Sequence, residues 1–384
     1  GITEHICGVD NVQSLCNIAL MTGNLGREGT GINPMRGQNN IQGAGDAGAI
    51  PVNYPGFQPV TDPVNQEKFK ELYGREIDLD KGITKVTALN ECGKSIHAMI
   101  IDGENTVVSD PDRTHCQHAL ESLEHLVVID IFRTETAELA DVILPATAWG
   151  ETDGVCVNTE RRVQRLRQAV PPHGDAKPDW WIVSQIARRL DIPGFEYEFA
   201  EDIFNELCAL SPIYAGLDWD RIENAEYQWP VPEKDHPGTP VLHEGEFKNG
   251  RGLFSLINYR DPAEVVDEDY PVWLTTGRRL EAYHTRTQTG RSAGIEYLLH
   301  EESLEVHPEN LTEWQLIDGG FARLTSRRGT VKIRVRATDQ SPPGTVFCSF
   351  SFNDVPVNIL TGSGYDPVTE TAELKVCPVR VEPA

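Results

Sequence analysis

No Cys-x-x-Cys pair occurs in the 384 residues, although cysteines stand at positions 7, 16, 92, 116, 156, 208, 348 and 377. That scatter excludes a zinc finger or ferredoxin-like iron-sulfur motif in this stretch, and no metal ligand is expected among these residues. It reads as reduced core residues of an intracellular protein, so a cytoplasmic location is expected. No apolar run approaches ~18 residues, which excludes a membrane-spanning helix. No Gly-x-Gly-x-x-Gly follows an apolar strand, which excludes a plain nicotinamide-binding dehydrogenase. Lysine is scarce as well: 24 arginines and ten lysines make up the 34 basic residues, against 59 acidic ones, for a formal net charge of -25. Such a surface repels phosphate, so a nucleic-acid partner is not expected, and an anionic substrate needs a local basic site. The same balance fits a high-salt cytoplasm or, equally, a GC-rich genome.

What is present is enough chain for two or three domains and a large core. The first residue is Gly1, and the sequence enters at once into ITEHICGVDNVQSLCNIALMTGN, which reads as the interior of a longer or processed protein. Apolar spacing from Asp10 to Met21 predicts a helix that delivers the chain into a Gly/Asn/Gln/Pro-rich loop running to about Pro63. A loop of that length is expected to carry function. After a charged helical piece at Asn65 to Tyr73, two apolar strands, within Ser95 to Asn105 and at His125 to Phe132, flank the helical spacing of Arg113 to Glu124. That is a β-α-β unit with a parallel sheet, and Glu138 to Trp149 adds a third strand. Ligands of such sheets sit outside the carboxyl ends of the strands, which puts Gly103 to Asn105 and Asp130 to Thr134 on one edge. Asp179 to Gly194 predicts a helix, and about Ala215 to Tyr270 reads as a linker-like excursion. From Tyr270 onward short alternating strands, such as Phe321 to Thr338 turning at Gly329, predict an all-β domain.

The segment NPMRGQNNIQGAGDAGA, Asn33 to Ala49, sets one arginine, Arg36, among glycines and neutral hydrogen-bonders. A guanidinium holds a carboxylate by two parallel bonds, and glycines let backbone approach a ligand closely. On spacing alone the segment reads equally as a capped surface loop. ERRVQR, Glu160 to Arg165, reads better as a structural ion-pair face than as a phosphate site, and Glu151 and Asp153 as turn chemistry. His115, His118 and His125 lack carboxylates at metal spacing and read as surface histidines.

The stretch GVDNVQSLCNIALMTGNLGREGTGINPMRGQNNIQGAGDAGAIPVNYPG resembles the formate dehydrogenase branch of the molybdopterin oxidoreductases, where RGQNN-x-QGA is highly specific. The resemblance runs from Gly1 to Pro383, weakest between about Phe195 and Tyr270. Gly45 and Ala47 depart from it, standing where Cys and Met are usual. It implies that Arg36 holds formate's carboxylate and that Gln38 and Asn39 approach a pterin. DIFRTETAELADVILPATAWGETDGVCVNTERRVQR looks like the segment binding one guanine dinucleotide arm, with Asp130 on the guanine edge and Thr134 on phosphate; without that likeness a strand-end Asp reads as a helix N-cap. Gly103, Glu104 and Asn105 match the loop of the preceding strand. LTTGRRLEAYHTRTQTGRS is similar to a loop covering the second arm, which implies Gly277, Arg278, Tyr283 and His284 as contacts, with Ala282 where many relatives carry His. The closing segments point to Asn358 and Lys375, with Leu374 in place of a frequent Tyr.

The fold implied is α/β, with Rossmann-like parallel-sheet parts followed by a C-terminal β-barrel of the double-psi type. The domains implied are an active-site loop segment over 1–64, an α/β dinucleotide-binding domain over 65–265 and a β-barrel dinucleotide-binding domain over 266–384. The activity implied is formate oxidation to CO2 at a molybdenum or tungsten held by two molybdopterin guanine dinucleotides. An Fe4S4 cluster and the metal-ligating residue would be contributed upstream of Gly1, leaving this chain incomplete for catalysis alone. Electrons would pass to partner subunits with iron-sulfur or flavin centres. A nitrate reductase-like enzyme and a non-catalytic large subunit of an NADH dehydrogenase-type complex are the rival readings.

Overall fold

The computed structural model describes residues 1–74 and 80–384; the expected 65–265 domain includes five residues outside that set. The chain forms two compact units, each assembled from separated segments. One comprises Gly1–Leu15, Lys85–Ile143 and Ser255–Ala384, the other Cys16–Thr84 and Leu144–Phe254.

In the first unit the strands Ala98–Asp102 and His125–Asp130 pair in parallel, and Val142–Pro145, which begins in that unit, completes a three-stranded sheet. The crossover helix is Arg113–Glu121, whose first turn is capped by the Asp112 carboxylate accepting from the His115 N–H at 3.4 Å. Leu126 and Val128 of the central strand pack with Leu120, Cys116 and Leu89, which is why this strand reads as a nearly unbroken apolar run.

The same unit carries a closed six-stranded barrel in the order Ser303–Val306, Thr330–Ala337, Phe321–Thr325, Cys377–Pro383, Val272–Gly277 and Thr345–Ser349. Two of the pairings are parallel and the others antiparallel. Alternate residues point inward, so Leu274, Leu304, Val306, Ala322, Leu324 and Val346 are fully buried. The mixed fold class and its C-terminal barrel are as expected. The expectation of an all-β part needs amendment, because the short helices Ala293–Leu298 and Pro308–Glu313 lie between the strands. Neither is long enough to leave a helical period in the sequence.

The second unit is built around an antiparallel sheet of Gly154–Val157, Arg162–Leu166 and Tyr227–Gln228. The helix Ala200–Leu210 lays Phe204 and Cys208 against Val157, Val163 and the buried Tyr214. The strand Tyr227–Gln228 and the helix Trp219–Asn224 lie inside the stretch expected to be linker-like, which is therefore structured over those residues. Pro, Trp and acidic residues there conceal elements too short to show a period. No helix among the described residues is long and apolar enough to cross a membrane.

Candidate functional site

The long Gly/Asn-rich stretch contains a helix, Ile41–Asp46, that its composition hides. Glycine at positions 43 and 45 costs roughly 1 kcal/mol each relative to alanine in a helix. A Cβ at Gly43 would stand 2.3 Å from the Asn40 Oδ1, so a side chain there would displace the Asn40 amide. That oxygen accepts from the Val157 N–H at 2.9 Å, tying the RGQNN turn to the neighbouring strand. Gly45, by contrast, has room for a side chain, so its departure from the usual Cys is sterically neutral.

Arg36 is exposed just before this helix. Its guanidinium donates a long bond of 3.5 Å to the Gln42 side-chain carbonyl. The Gln42 amide nitrogen donates in turn to the Asp46 Oδ1 at 2.7 Å, and the Tyr214 hydroxyl donates to the Asp46 Oδ2 at 2.5 Å. Asp46 is fully buried. Burial pushes its carboxyl above the ordinary range, while the donors from Tyr214 and Gln42 pull the other way. Gln38 and Asn39 project from the same turn and make no side-chain hydrogen bond to the described residues.

In the first unit the other expected residues converge. The Gly103 N–H donates to the Ile129 carbonyl at 2.9 Å, so the carboxyl ends of the strands Ala98–Asp102 and His125–Asp130 lie side by side. Gly103 itself has φ 65 with open space where a Cβ would stand, a backbone that other residues adopt at a cost. Asp130 accepts from the Phe132 N–H at 3.2 Å, and the Thr134 hydroxyl from the Ala137 N–H at 3.2 Å. Asn105 is spent within the protein: its amide donates to Glu135 at 2.7 Å and accepts from the Thr136 N–H and hydroxyl. Glu104 and Asp110 share the Lys85 ammonium at 2.7 and 2.6 Å. Burial opposes ionisation of Glu104, and Lys85 outweighs it, leaving the carboxyl below its usual value.

The loop after the barrel strand Val272–Gly277 faces the same region. Gly277 packs so closely on Phe347 that a Cβ would lie 2.4 Å from the ring. The two arginines that follow divide the work. Arg279 is buried and bonds Glu302, Glu305 and the Ser303 carbonyl, at 2.7, 2.8 and 2.6 Å. Arg278 is exposed, makes no ion pair among the described residues, and lies 5.6 Å from the Phe350 ring centroid. His284 packs edge-on against Phe350 at 5.5 Å. Burial, and then Arg278, depress its pKa to about 4, against a smaller pull from Glu104. The ring is therefore neutral at pH 7, able to donate at one nitrogen and accept at the other. Tyr283 is exposed beside it, while Ala282 is buried. The Arg291 guanidinium lies over the Phe132 ring at 4.4 Å, holding this loop to the one that carries Asp130 and Thr134.

Asn358 is buried and donates to the Val108 and Ser109 carbonyls at 2.9 and 3.0 Å, fastening the barrel to the helix after Asn105. Lys375 reaches the Thr276 carbonyl at 3.1 Å and Glu4 at 3.0 Å, next to Gly277. Both thus stand at the edges of the cluster, with their polar atoms engaged by protein. ERRVQR forms the ion-pair face expected of it: Arg165 meets Asp153 at 3.2 Å and Glu223 at 2.9 Å, and stacks 3.8 Å over Trp219. The Glu151 carboxylate accepts from the Ala148 N–H at 2.9 Å, turn chemistry rather than an acid-base pair. His115 meets the Asn90 side chain and His125 meets Asp141. The sequence analysis assigned no role to Asn40, Gln42, Asp46, Lys85, Glu135 or Tyr214; the signals available were the place of Asn40 and Gln42 in the RGQNN-x-QGA motif and the i, i+4 spacing of Gln42 and Asp46.

A family model described as "Molybdopterin oxidoreductase" matches residues 1–189, and a second, "Molydopterin dinucleotide binding domain", matches residues 272–378. This chain belongs to the molybdopterin oxidoreductase family. Within that family it is 43% identical, over its whole length and 57% of the relative's, to the F420-dependent formate dehydrogenase subunit alpha of Methanocaldococcus jannaschii. The F420-dependent formate dehydrogenase 2 subunit alpha of Methanococcus maripaludis is 44% identical with the same coverage. Formate dehydrogenase H of Escherichia coli is 35% identical over all of this chain and 54% of its own length. The chain thus spans somewhat over half the length of these curated relatives. Acetylene hydratase from Pelobacter acetylenicus shares the fold, with a TM-score of 0.63 at 16% identity over 83% of this chain and 50% of that one.

Proposed function

We propose that this chain is part of a formate dehydrogenase, oxidising formate to CO2 and passing two electrons onward. The observation that carries the reading is Arg36: an exposed guanidinium, braced by Gln42, in a chain that is 35–44% identical to relatives bearing that name. A forked donor of this kind suits a small carboxylate.

The cofactor proposed is a molybdenum or tungsten held by two molybdopterin guanine dinucleotides, and the residues in the first unit fit such a group. Arg278 supplies a cation with no carboxylate partner among the described residues, suited to pyrophosphate, and neutral His284 supplies a polar ring beside it. Gly103 leaves open space at the strand ends, where Asp130 and Thr134 can meet guanine and phosphate. In this reading the parts within 65–265 and 266–384 each hold one dinucleotide arm, with Glu104, Asn105, Gly277, Tyr283, Asn358 and Lys375 shaping the walls. Gln38 and Asn39 contact the pterin near the reacting centre. Such a group would supply the two-electron acceptor that the oxidation of formate to CO2 and a proton requires. The task of Arg36 is to hold formate's carboxylate and stabilise its charge. An Fe4S4 centre belongs to the same proposal as a group supplied by residues outside this sequence, and the F420-dependent names of two relatives suggest partner subunits that take the electrons.

The test is direct. The full-length protein is purified, its Mo and W content measured, and formate-dependent reduction of a viologen dye compared with nitrate-dependent oxidation of the reduced dye. Formate turnover with bound metal supports the reading. Nitrate turnover without formate turnover, or absence of both metals, overturns it.

A further inference from the structure

Asp46 is a costly feature whose geometry leads away from packing. It is a fully buried carboxylate with no ion-pair partner at bonding distance among the described residues. Burying a carboxylate costs several kcal/mol unless the surroundings repay it, and a neutral residue of the same shape would fill the space more cheaply. Its bonds show what the charge does. Tyr214 donates to one oxygen and Gln42 to the other.

Gln42 then faces two partners of opposite character. A carboxylate only accepts hydrogen bonds and a guanidinium only donates them. One orientation of the amide satisfies both, with nitrogen toward Asp46 and oxygen toward Arg36; the reverse would set oxygen against oxygen and NH2 against guanidinium. Asp46 therefore imposes the amide orientation that presents an acceptor to Arg36. The i, i+4 spacing on the helix Ile41–Asp46 brings the pair together, and Tyr214 braces the far side. The Arg36 guanidinium is otherwise exposed, so this contact decides how well its fork is ordered before an anion arrives.

We infer that Asp46 is a positioning residue for Arg36, acting through the Gln42 amide, so that a buried group with no contact to substrate sets the affinity of the anion-holding site. The inference rests on the reading of Arg36 as the formate-holding residue. An ordered guanidinium helps bind formate in ground and transition state alike, so losing the order raises KM and leaves kcat nearly unchanged. The step is about one net hydrogen bond, or roughly fivefold.

The test uses the full-length, metal-loaded protein. Asp46→Asn keeps the shape but no longer dictates the Gln42 orientation. Its KM for formate is expected to rise about fivefold with kcat within about twofold. Tyr214→Phe touches Asp46 only from the far side and is expected to raise KM by about two- to threefold, which keeps the test open if Asp46→Asn fails to accumulate. In an Arg36→Ala background Asp46→Asn is expected to add nothing, because contacts in one chain of bonds are not additive. An unchanged KM in both single variants, or a full extra loss on top of Arg36→Ala, overturns the inference. A second measurement does not depend on formate: phenylglyoxal modification of Arg36, followed by peptide mass spectrometry, is expected to speed up at least about threefold in Asp46→Asn as the guanidinium loses its anchor. Equal rates overturn the positioning role. Failure of the wild-type protein to oxidise formate would overturn the functional reading, while the phenylglyoxal comparison still decides the role of Asp46.

Discussion

Arg278 and Arg279 are adjacent in sequence, yet their replacement by methionine is expected to have opposite consequences. Arg279 is only 8% exposed, Glu302 is fully buried and Glu305 is 9% exposed, and the guanidinium is the only cation bonding Glu302 among the described residues. Arg279→Met leaves the buried Glu302 and Glu305 carboxylates together without their guanidinium, with only the exposed Arg336, among the described residues, remaining near Glu305 at 3.7 Å. Breaking a buried pair by removing one partner costs about 3–5 kcal/mol. At about 2–4 °C per kcal/mol for a unit of this size, thermal unfolding of the full-length protein falls by roughly 6–20 °C. Arg278→Met removes an exposed cation with no ion pair among the described residues, so stability is expected to change by less than about 0.5 kcal/mol. What it loses is retained pterin and metal, measured by fluorescence of the released pterin and by elemental analysis. Differential scanning fluorimetry on both variants, with pterin content alongside, checks the pair. Equal melting temperatures for the two, or full pterin retention in Arg278→Met, would refute the division of labour.

Three further outcomes follow from the same geometry. His284 has a depressed folded pKa near 4 against an unfolded value near 6.5, so it contributes stability that is complete above about pH 6.5 and lost as pH falls toward 4. His284→Gln is thus expected to lose less stability than wild type between those limits, and parallel pH-stability curves would count against the assignment. Leu324→Ala opens a cavity in the fully buried barrel core and is expected to cost about 2–5 kcal/mol in urea unfolding; a loss below about 1 kcal/mol would mean that the barrel is not packed as described. Asn40→Ala releases the RGQNN turn from the Val157 backbone, at about 1–2 kcal/mol, with formate KM rising as the turn loosens. Unchanged stability and KM would show that this bond holds nothing.

The parallel sheet, its crossover helix and the barrel hairpin Phe321–Thr325 to Thr330–Ala337 were legible in the sequence because their periods are regular and their caps and turns explicit. The helix Ile41–Asp46 was not. Two glycines mask it, and it is held by Asn40 and by the Asp46–Tyr214 bond between residues 168 positions apart. Family resemblance singled out Arg278, but the buried ion-pair role of Arg279 could not be read from the sequence, since burial decides it and an Arg-Arg pair at a strand end reads alike at both positions. Asn105 and Asn358 stood on motif positions, and the structure shows their amides holding loops together. Nothing in composition marks the interleaving of Cys16–Thr84 with Leu144–Phe254, because it arises from contacts remote in sequence.

The central claim, that Arg36 holds formate's carboxylate, is tested most directly by steady-state kinetics of Arg36→Lys in the full-length protein at matched metal and pterin content. Lysine keeps the charge and loses the fork. The account predicts that kcat/KM for formate falls by roughly 10–150-fold with cofactor content unchanged. A variant with wild-type kcat/KM would contradict it.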